Sequence, residues 1–268
     1  VDAVDFWVAQ VVRRHVDPYR PADFLKASRA LSARYVERRA DLPRRSPLDS
    51  AGKRSAFAVL FGLRHFFTVR AIVRELDSTL PSVGHLTDLG CGTGVAAAAW
   101  ALSHRRPPRL AGVDRDRWAV TETAWTWRAL GLSGVASRGD LVRTASTIQP
   151  GRPRRHHAMA LGWILAWSVN ELAAADRHAI LGALLARARE GGTIVLVEPL
   201  ASSAAPWWSE WVAAFAPLGG VAREWRLGAV LPPPLAALES AAGFRRDDAG
   251  ARSLVVCGAP PGPRAGRW

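Results

Sequence analysis

Apolar residues recur at helical spacing through the first third of the chain. Residues 4–15 and 22–39 each carry an apolar stripe, and Asp17-Pro18 and Pro21 break the chain between them. Residues 53–76 predict a third, longer helix. Its apolar residues Phe57, Leu60, Phe61, Phe66, Phe67, Val69, Ile72 and Leu76 spread around much of the circumference, so it is expected to be buried on more than one side. From residue 84 the pattern changes to short apolar runs alternating with helical stretches. The runs 86–89, 109–113, 134–137, 158–163 and 193–198 predict strands, and 95–104, 117–130 and 170–189 predict the helices between them. This alternation implies an α/β fold, a parallel sheet with helices on both faces. A helix near 206–215, a short one at 235–242 and a terminal hairpin from Gly243-Phe244 and 253–257 complete the pattern. The expected division is an N-terminal helical cap over 1–80, an α/β domain over 81–258 and a frayed, Pro- and Gly-rich tail over 259–268.

The junction of the first strand and the following helix reads Leu86-Thr87-Asp88-Leu89-Gly90-Cys91-Gly92-Thr93-Gly94, and an alanine-rich helix starts at once. A strand, a glycine turn and a helix in that order make a nucleotide-binding corner, because backbone without Cβ atoms can turn tightly and approach a ligand closely. Leu110 to Val113 is a second buried run, closed by Asp114, which falls 20 residues after Gly94. A carboxylate there suits a ribose diol. Asp116 is a near rival, and Asp114 is preferred because it ends the apolar run. Asp140, in Ser137-Arg138-Gly139-Asp140-Leu141, follows the third strand, where a turn acid or helix cap explains it equally well.

Asp88-x-Gly90-x-Gly92-x-Gly94 resembles motif I of the class I S-adenosylmethionine (SAM) methyltransferases. The dinucleotide pattern G-x-G-x-x-G fits less well, since position 95 is Val. The resemblance implies a Rossmann-like sheet closed by an antiparallel strand, with SAM as cofactor. Asp88, Gly90, Cys91, Gly92, Thr93 and Gly94 would form the cofactor loop, Asp114 would hold the ribose and Asp140 would approach the adenine amino group. Methyl transfer from a sulfonium is an in-line displacement in which placement supplies much of the acceleration. No universal catalytic residue exists to search for, and none is assigned. The Asn-Pro-Pro-Tyr tetrapeptide of one amino-group subclass is absent. The cysteine nucleophile of cytosine carbon-5 enzymes has no good candidate in Cys91 or Cys257.

Ligands of open parallel sheets bind beyond the carboxyl ends of the strands. Trp163, Trp167, Asn170 and Glu171 after the fourth strand, and Glu198 ending the fifth, are therefore candidates for the substrate mouth. Plain core packing is the alternative for the tryptophans, and a helix N-cap for Asn170. The chain has twelve tryptophans. Trp207, Trp208 and Trp211 could wall a flat acceptor, or pack against the N-terminal helices; Trp118 could approach adenine, or lie in the core with Trp125 and Trp127.

The formal net charge is +13, spread along the chain and richest in its N-terminal third. Such a balance favours polyanion contact, although solvated surface explains any single cluster. Arg105-Arg106-Arg109 and Arg152-Arg154-Arg155 precede strands and should lie at the amino edge of the sheet. Arg38-Arg39, Arg44-Arg45 and Lys53-Arg54 belong to the cap, which can fold over the mouth. Two cysteines give neither a disulfide framework nor a zinc spacing, and His156-His157 reads as a solvated loop rather than a metal site. A reducing cytoplasm fits these features. No uncharged apolar run reaches the ~18 residues of a membrane span, and no signal-peptide pattern is present. The chain opens on Val and its one Met is Met159, so a missing initiator is expected.

A looser similarity covers roughly residues 30–200 and points to the mitochondrial small-ribosomal-subunit methyltransferase-like family and its bacterial relatives. Leu31-Ser32-x-x-Tyr35, the aromatic helix from Phe57 to Phe67, Asn170-Glu171-Leu172 and Val195-Leu196-Val197-Glu198-Pro199 carry it. That family's iron–sulfur cysteine cluster has no counterpart here, because Cys257 is the only cysteine beyond motif I. The resemblance implies RNA or a small-ribosomal-subunit component as acceptor. A small-molecule O- or N-methyltransferase with a Trp-lined pocket, and a non-catalytic SAM-binding assembly factor, stay open beside it.

Overall fold

The computed structural model describes residues 2–36, 46–147, 160–228, 231–243 and 250–258. Helices α1 (Ala3–His15) and α2 (Pro21–Val36) come first. Asp2 caps α1 by accepting the Val4 N–H, and Val4, Trp7, Val11 and His15 form its buried stripe. The predicted long helix is a continuous rod in three registers: α3 (Ala51–Ala56), a π-helical turn (Phe57–Gly62) and α4 (Leu63–Glu75). At 25 residues and mean hydropathy 1.6 this rod is long and apolar enough to cross a membrane, but 61% of its apolar stretch is buried inside the protein, as a core helix would be. The chain then alternates β1 (His85–Leu89), α5 (Val95–Ala101), β2 (Arg109–Asp114), α6 (Arg117–Ala129), β3 (Gly134–Arg138), α7 (Leu141–Thr147), β4 (Leu161–Ala166), α8 (Ala174–Arg189), β5 (Thr193–Pro199), α9 (Trp208–Phe215), β6 (Val221–Arg226), α10 (Pro233–Ala241) and β7 (Gly250–Cys257).

One seven-stranded sheet runs in the order β3-β2-β1-β4-β5-β7-β6. The first five strands are parallel, and β7 lies antiparallel between β5 and β6. The order reverses between β1 and β4, where Asp88 is in register with Ile164 on one side and Gly112 on the other. A crevice opens at such a switch point because the connections on its two sides leave in opposite directions.

Several elements differ from the sequence pattern. Strand β7 pairs antiparallel with Val221–Arg226, from which α10 separates it in the chain. Val221-Ala222-Arg223-Glu224-Trp225-Arg226 is an exposed edge strand with no apolar run to betray it. Phe244 lies outside the described residues, as do the tail, His156-His157 and the clusters at 38–39, 44–45 and 152–155. The helix expected over 170–189 is a 3-10 turn, Val169–Glu171, followed by an extended Leu172-Ala173 and then α8. Ala173, not Asn170, occupies the N-cap of α8. Helix α7 is an addition, and Asp140 caps it by accepting the Arg143 N–H at 2.8 Å.

The tryptophans mostly fill the two faces of the sheet. Trp7, Trp100 and Trp127 join Phe66, Leu86 and Ile164 in the core beneath α1, α4, α5 and α6. Trp163, Trp207, Trp208, Trp211 and Phe215 pack with α8 and the far faces of β4, β5 and β7. The aromatic wall imagined from Trp207, Trp208 and Trp211 is thus core, and it packs on the sheet rather than on the N-terminal helices. Trp163 is likewise core, 2% exposed, which removes it from the substrate mouth. Residues alternate sides along a strand, and Trp163 falls on the face away from the crevice.

The N-terminal helices are tied to the sheet layer by charge as well as packing. Glu122 on α6 is 1% exposed and accepts hydrogen bonds from Arg14 Nε at 3.1 Å and Arg14 Nη2 at 3.2 Å, and it lies 2.8 Å from His15 Nε2. Burial opposes its ionisation, and the bonds from His15 and Arg14 overcome that cost and hold its carboxyl below the usual range.

Candidate functional site

The loop after β1 is left-handed at all three glycines, with φ of +78° at Gly90, +52° at Gly92 and +75° at Gly94. The surroundings give them different tasks. A Cβ on Gly94 would lie 2.7 Å from Thr123 and Trp127 of α6, and one on Gly90 would lie 2.6 Å from Ser168. Those two glycines let the protein close on itself. At Gly92 a Cβ would meet only the Phe57 ring, at 3.6 Å, so its backbone faces the cavity in which that ring also lies.

Side chains of α6 hold the loop from behind. Thr123 Oγ1 donates to the Gly92 carbonyl at 2.9 Å, and Trp127 Nε1 donates to the Gly94 carbonyl at 2.8 Å. The amides of Gly90 and Cys91 both donate to the Val113 carbonyl. The Cys91 side chain is buried against Thr123 and Gly112, and burial pushes its thiol well up. It is a small filler whose backbone belongs to the loop.

The three acids divide similarly. Asp88 is 1% exposed and accepts the Ala97 N–H at 3.2 Å, satisfying the first turn of α5. Burial pushes its carboxyl up to about 7. Asp114 lines the crevice, accepting the Gly92 N–H at 2.9 Å and the Asp116 N–H at 2.8 Å. Burial raises its carboxyl despite those bonds. Each oxygen has one partner, so the carboxylate keeps acceptor capacity toward the crevice. The rival Asp116 is committed as the N-cap of α6. Asp140 is exposed, and it combines the cap of α7 with a place in the crevice wall.

The crevice is a cavity of about 690 Å³, within the ~300–1,000 Å³ of small-ligand sites. Its floor is the glycine loop with Asp114, Gly139 and Asp140, and its side is Trp167, Ser168, Asn170 and Glu171. The roof comes from the N-terminal helices through Tyr35, Phe57, Phe61, Arg64 and His65. In the π-helical turn the coil is wider than in an α-helix, so Phe57 and Phe61 fall on nearly one face, with ring centroids 5.8 Å apart. Sequence reading missed these roof residues. The signal present was the i, i+4, i+8 run Phe57, Phe61, His65, of which only Phe57 and Phe61 enter the apolar pattern of the predicted helix.

Of the mouth candidates, Trp167, Asn170 and Glu171 reach the cavity, and Glu198 does not. Glu198 is fully buried and clamps the 3-10 turn, accepting the Val169 N–H at 3.0 Å and Asn170 Nδ2 at 2.7 Å. Burial pushes its carboxyl up to about 8. Glu171 hydrogen-bonds Tyr35 and lies 4.0 Å from Arg115. Arg64 donates to both oxygens of Glu239 on α10. Among the described residues no cluster of His, Cys, Asp and Glu could hold a metal. Of the cap's paired basic clusters, the one at 53–54 is described: Lys53 pairs with Asp49 at 2.8 Å and Arg54 donates to the Leu48 carbonyl.

A raised carboxylate pKa means that the folded state holds its proton more tightly than the unfolded chain. The stability from Glu198 and Asp88 is therefore complete below the unfolded pKa and is lost as pH rises through the folded values of about 8 and about 7. His65, lowered to about 3, acts in the opposite sense only below its unfolded value. The denaturation midpoint of the protein is expected to fall between pH 6.5 and 8, and more steeply than that of Glu198→Gln. Parallel profiles for the two proteins would show that Glu198 is ionised in the fold.

No family model matches the sequence, and no characterised protein matches it. Many solved structures do. The mitomycin 7-O-methyltransferase is 16% identical over 90% of this chain and 68% of its own, with a TM-score of 0.51. A structure from Listeria monocytogenes, described as a putative class I SAM-dependent methyltransferase, is 11% identical with a TM-score of 0.47, covering 92% of this chain and 90% of that one. A structure concerned with conversion of a disulfide bond into a thioacetal group in echinomycin biosynthesis is 17% identical with a TM-score of 0.36. That match takes in 48% of this chain, which spans less than half, 46%, of the other's length. With its strand order, its antiparallel β7 and a glycine loop at the switch point, the chain has the Rossmann-like fold of the class I methyltransferases.

Proposed function

We propose that the chain is a SAM-dependent methyltransferase acting on a small molecule. The observation that carries this reading is the loop itself: Gly92 presents bare backbone to a roofed cavity, with the Asp114 carboxylate fixed beside it. The residues fit the cofactor. Asp114 retains lone pairs for two ribose hydroxyls, the Gly90–Gly94 backbone leaves the space that a side chain at 92 would fill, and Thr93 Oγ1 is a buried, unpartnered hydroxyl in the cavity wall. Asp140 would approach the adenine amino group. When bound, SAM supplies an electrophilic methyl on a sulfonium. The chain's own residues then exclude water and orient the acceptor, which is where the rate gain of such a displacement arises.

The small-molecule acceptor is favoured over RNA by the roof. A cavity walled by Tyr35, Phe57, Phe61 and His65 suits a compact ligand, and Lys53 and Arg54, the described basic cluster of the cap, already have partners. The aromatic lining is Phe, Tyr and His with Trp167, not the Trp wall expected. Incubating the protein with methyl-labelled SAM, RNA and a metabolite extract separates the readings. Label is expected in the RNase-resistant, small-molecule fraction. Label that precipitates with RNA, together with binding that falls steeply with salt, would transfer the account to a nucleic-acid acceptor.

A further inference from the structure

We propose that the part of the cavity walled by Tyr35, Phe61, His65 and Trp167 is a subsite for a planar acceptor bearing a hydroxyl group, and that a ring nitrogen of His65 receives that hydroxyl's hydrogen bond. The inference rests on the glycine loop being the cofactor cradle. Four observations carry it.

First, His65 and Trp167 are stacked face to face in the cavity wall, with ring centroids 3.7 Å apart and planes 3° from parallel. The stack fixes the imidazole's orientation. Second, Trp167 is the one non-glycine residue with positive φ, +53°, among the described residues. That conformation is costly for a bulky side chain and persists where surroundings over-determine it, typically at functional sites. Here the Trp167 N–H donates to the Val197 carbonyl, and the indole lies on His65.

Third, His65 has no hydrogen-bond partner among the described residues, although its ring lines the cavity. Burial, and secondarily Arg64, push its pKa down to about 3. It is therefore a neutral imidazole with one nitrogen lone pair to offer. Fourth, the rings around His65 form an aromatic wall: Phe61 stands edge-on to His65 at 6.1 Å, and Tyr35 lies 5.0 Å from Phe61. Such a wall suits the face of a planar acceptor.

The chemistry is consistent with so weak a base. The acceptor oxygen forms a new O–C bond as the methyl's bond to sulfur breaks and its electron pair stays on sulfur. A hydroxyl oxygen that gains a methyl becomes strongly acidic, so even a low-pKa imidazole takes its proton and passes it to water. The neutral His65 thus orients the hydroxyl beforehand and receives the proton afterwards.

The test measures binding and needs no known substrate. The whole protein, saturated with S-adenosylhomocysteine, is titrated with 4-fluorophenol and with 4-fluorotoluene, its shape-mate without the hydroxyl, by fluorine NMR. The wild type is expected to prefer the phenol by about tenfold, the net worth of one hydrogen bond. His65→Phe keeps a ring on Trp167 and removes the nitrogens. It should bind 4-fluorotoluene as before and lose the preference, with unchanged affinity for S-adenosylhomocysteine. A preference that survives in His65→Phe, or is absent from the wild type, overturns the proposal. Saturable binding of 4-fluorobenzylamine in place of the phenol overturns it in favour of a cationic acceptor. Failure of S-adenosylhomocysteine to bind the wild type sinks the cofactor reading itself, and the subsite with it.

Discussion

Replacing Glu122 by Ala is expected to destabilise the protein by about 3 kcal/mol, the low end of the range for breaking a buried ion pair. The carboxylate is 1% exposed and serves two partners on α1, Arg14 and His15. Its loss strands the His15 ring, 7% exposed, away from water. The Arg14 side chain is 42% exposed and can turn to solvent, which keeps the cost from the upper end. For the same reason Arg14→Ala should cost no more than about 1 kcal/mol. Urea denaturation of the two variants gives the ranking. Equal effects, or a larger one for Arg14→Ala, would mean that Glu122 is solvated and that α1 is held by packing alone. Helix α1 packs on the π-helical turn, so Glu122→Ala should also loosen Phe57 and Phe61 over the cavity.

The second large effect is at Gly92. With φ of +52°, any L-side chain there is strained whatever the space, by about 1–2 kcal/mol. A Cβ there meets only the Phe57 ring, at ordinary contact distance, so the ligand-free protein accommodates Val by a shift of that ring. Its branched carbons would occupy the volume claimed for the cofactor, so binding should fall at least about a hundredfold. Gly94→Val has a different signature, because the new atoms press on Thr123 and Trp127 and the fold itself should suffer.

Much of this architecture was legible from pattern. The five parallel strands and the loop are strongly apolar or glycine-bearing, and their periodicity changes sharply at residue 84. The β6 edge strand was not legible, since a solvated strand with Arg223, Glu224 and Arg226 carries no buried face to read. Motif I gave no division of labour within its segment. Asp88 and Cys91 are buried and spend their side chains on the Ala97 N–H and on Thr123, while the Asp114 carboxylate keeps acceptor capacity toward the cavity, a distinction set by side-chain direction rather than spacing. Glu198 ended a strand at the correct edge and still missed the mouth, because its carboxylate bends onto Val169 and Asn170. The roof escaped notice for a physical reason. Aromatic residues on a helix look alike whether they fill a core or line a cavity, and only the π-helical turn and the packing of α2 against it decide between them.

The claim that the glycine loop cradles SAM is tested most directly by calorimetric titration of S-adenosylhomocysteine into three proteins: the wild type, Gly92→Val and Gly131→Val. Gly131 supplies the control, with φ of +69° and open space around it but no place in the cavity wall. Strain of the same kind is then present in both variants. The account predicts saturable binding to the wild type and Gly131→Val, and none measurable to folded Gly92→Val. Equal binding by all three, or binding by none, would contradict it.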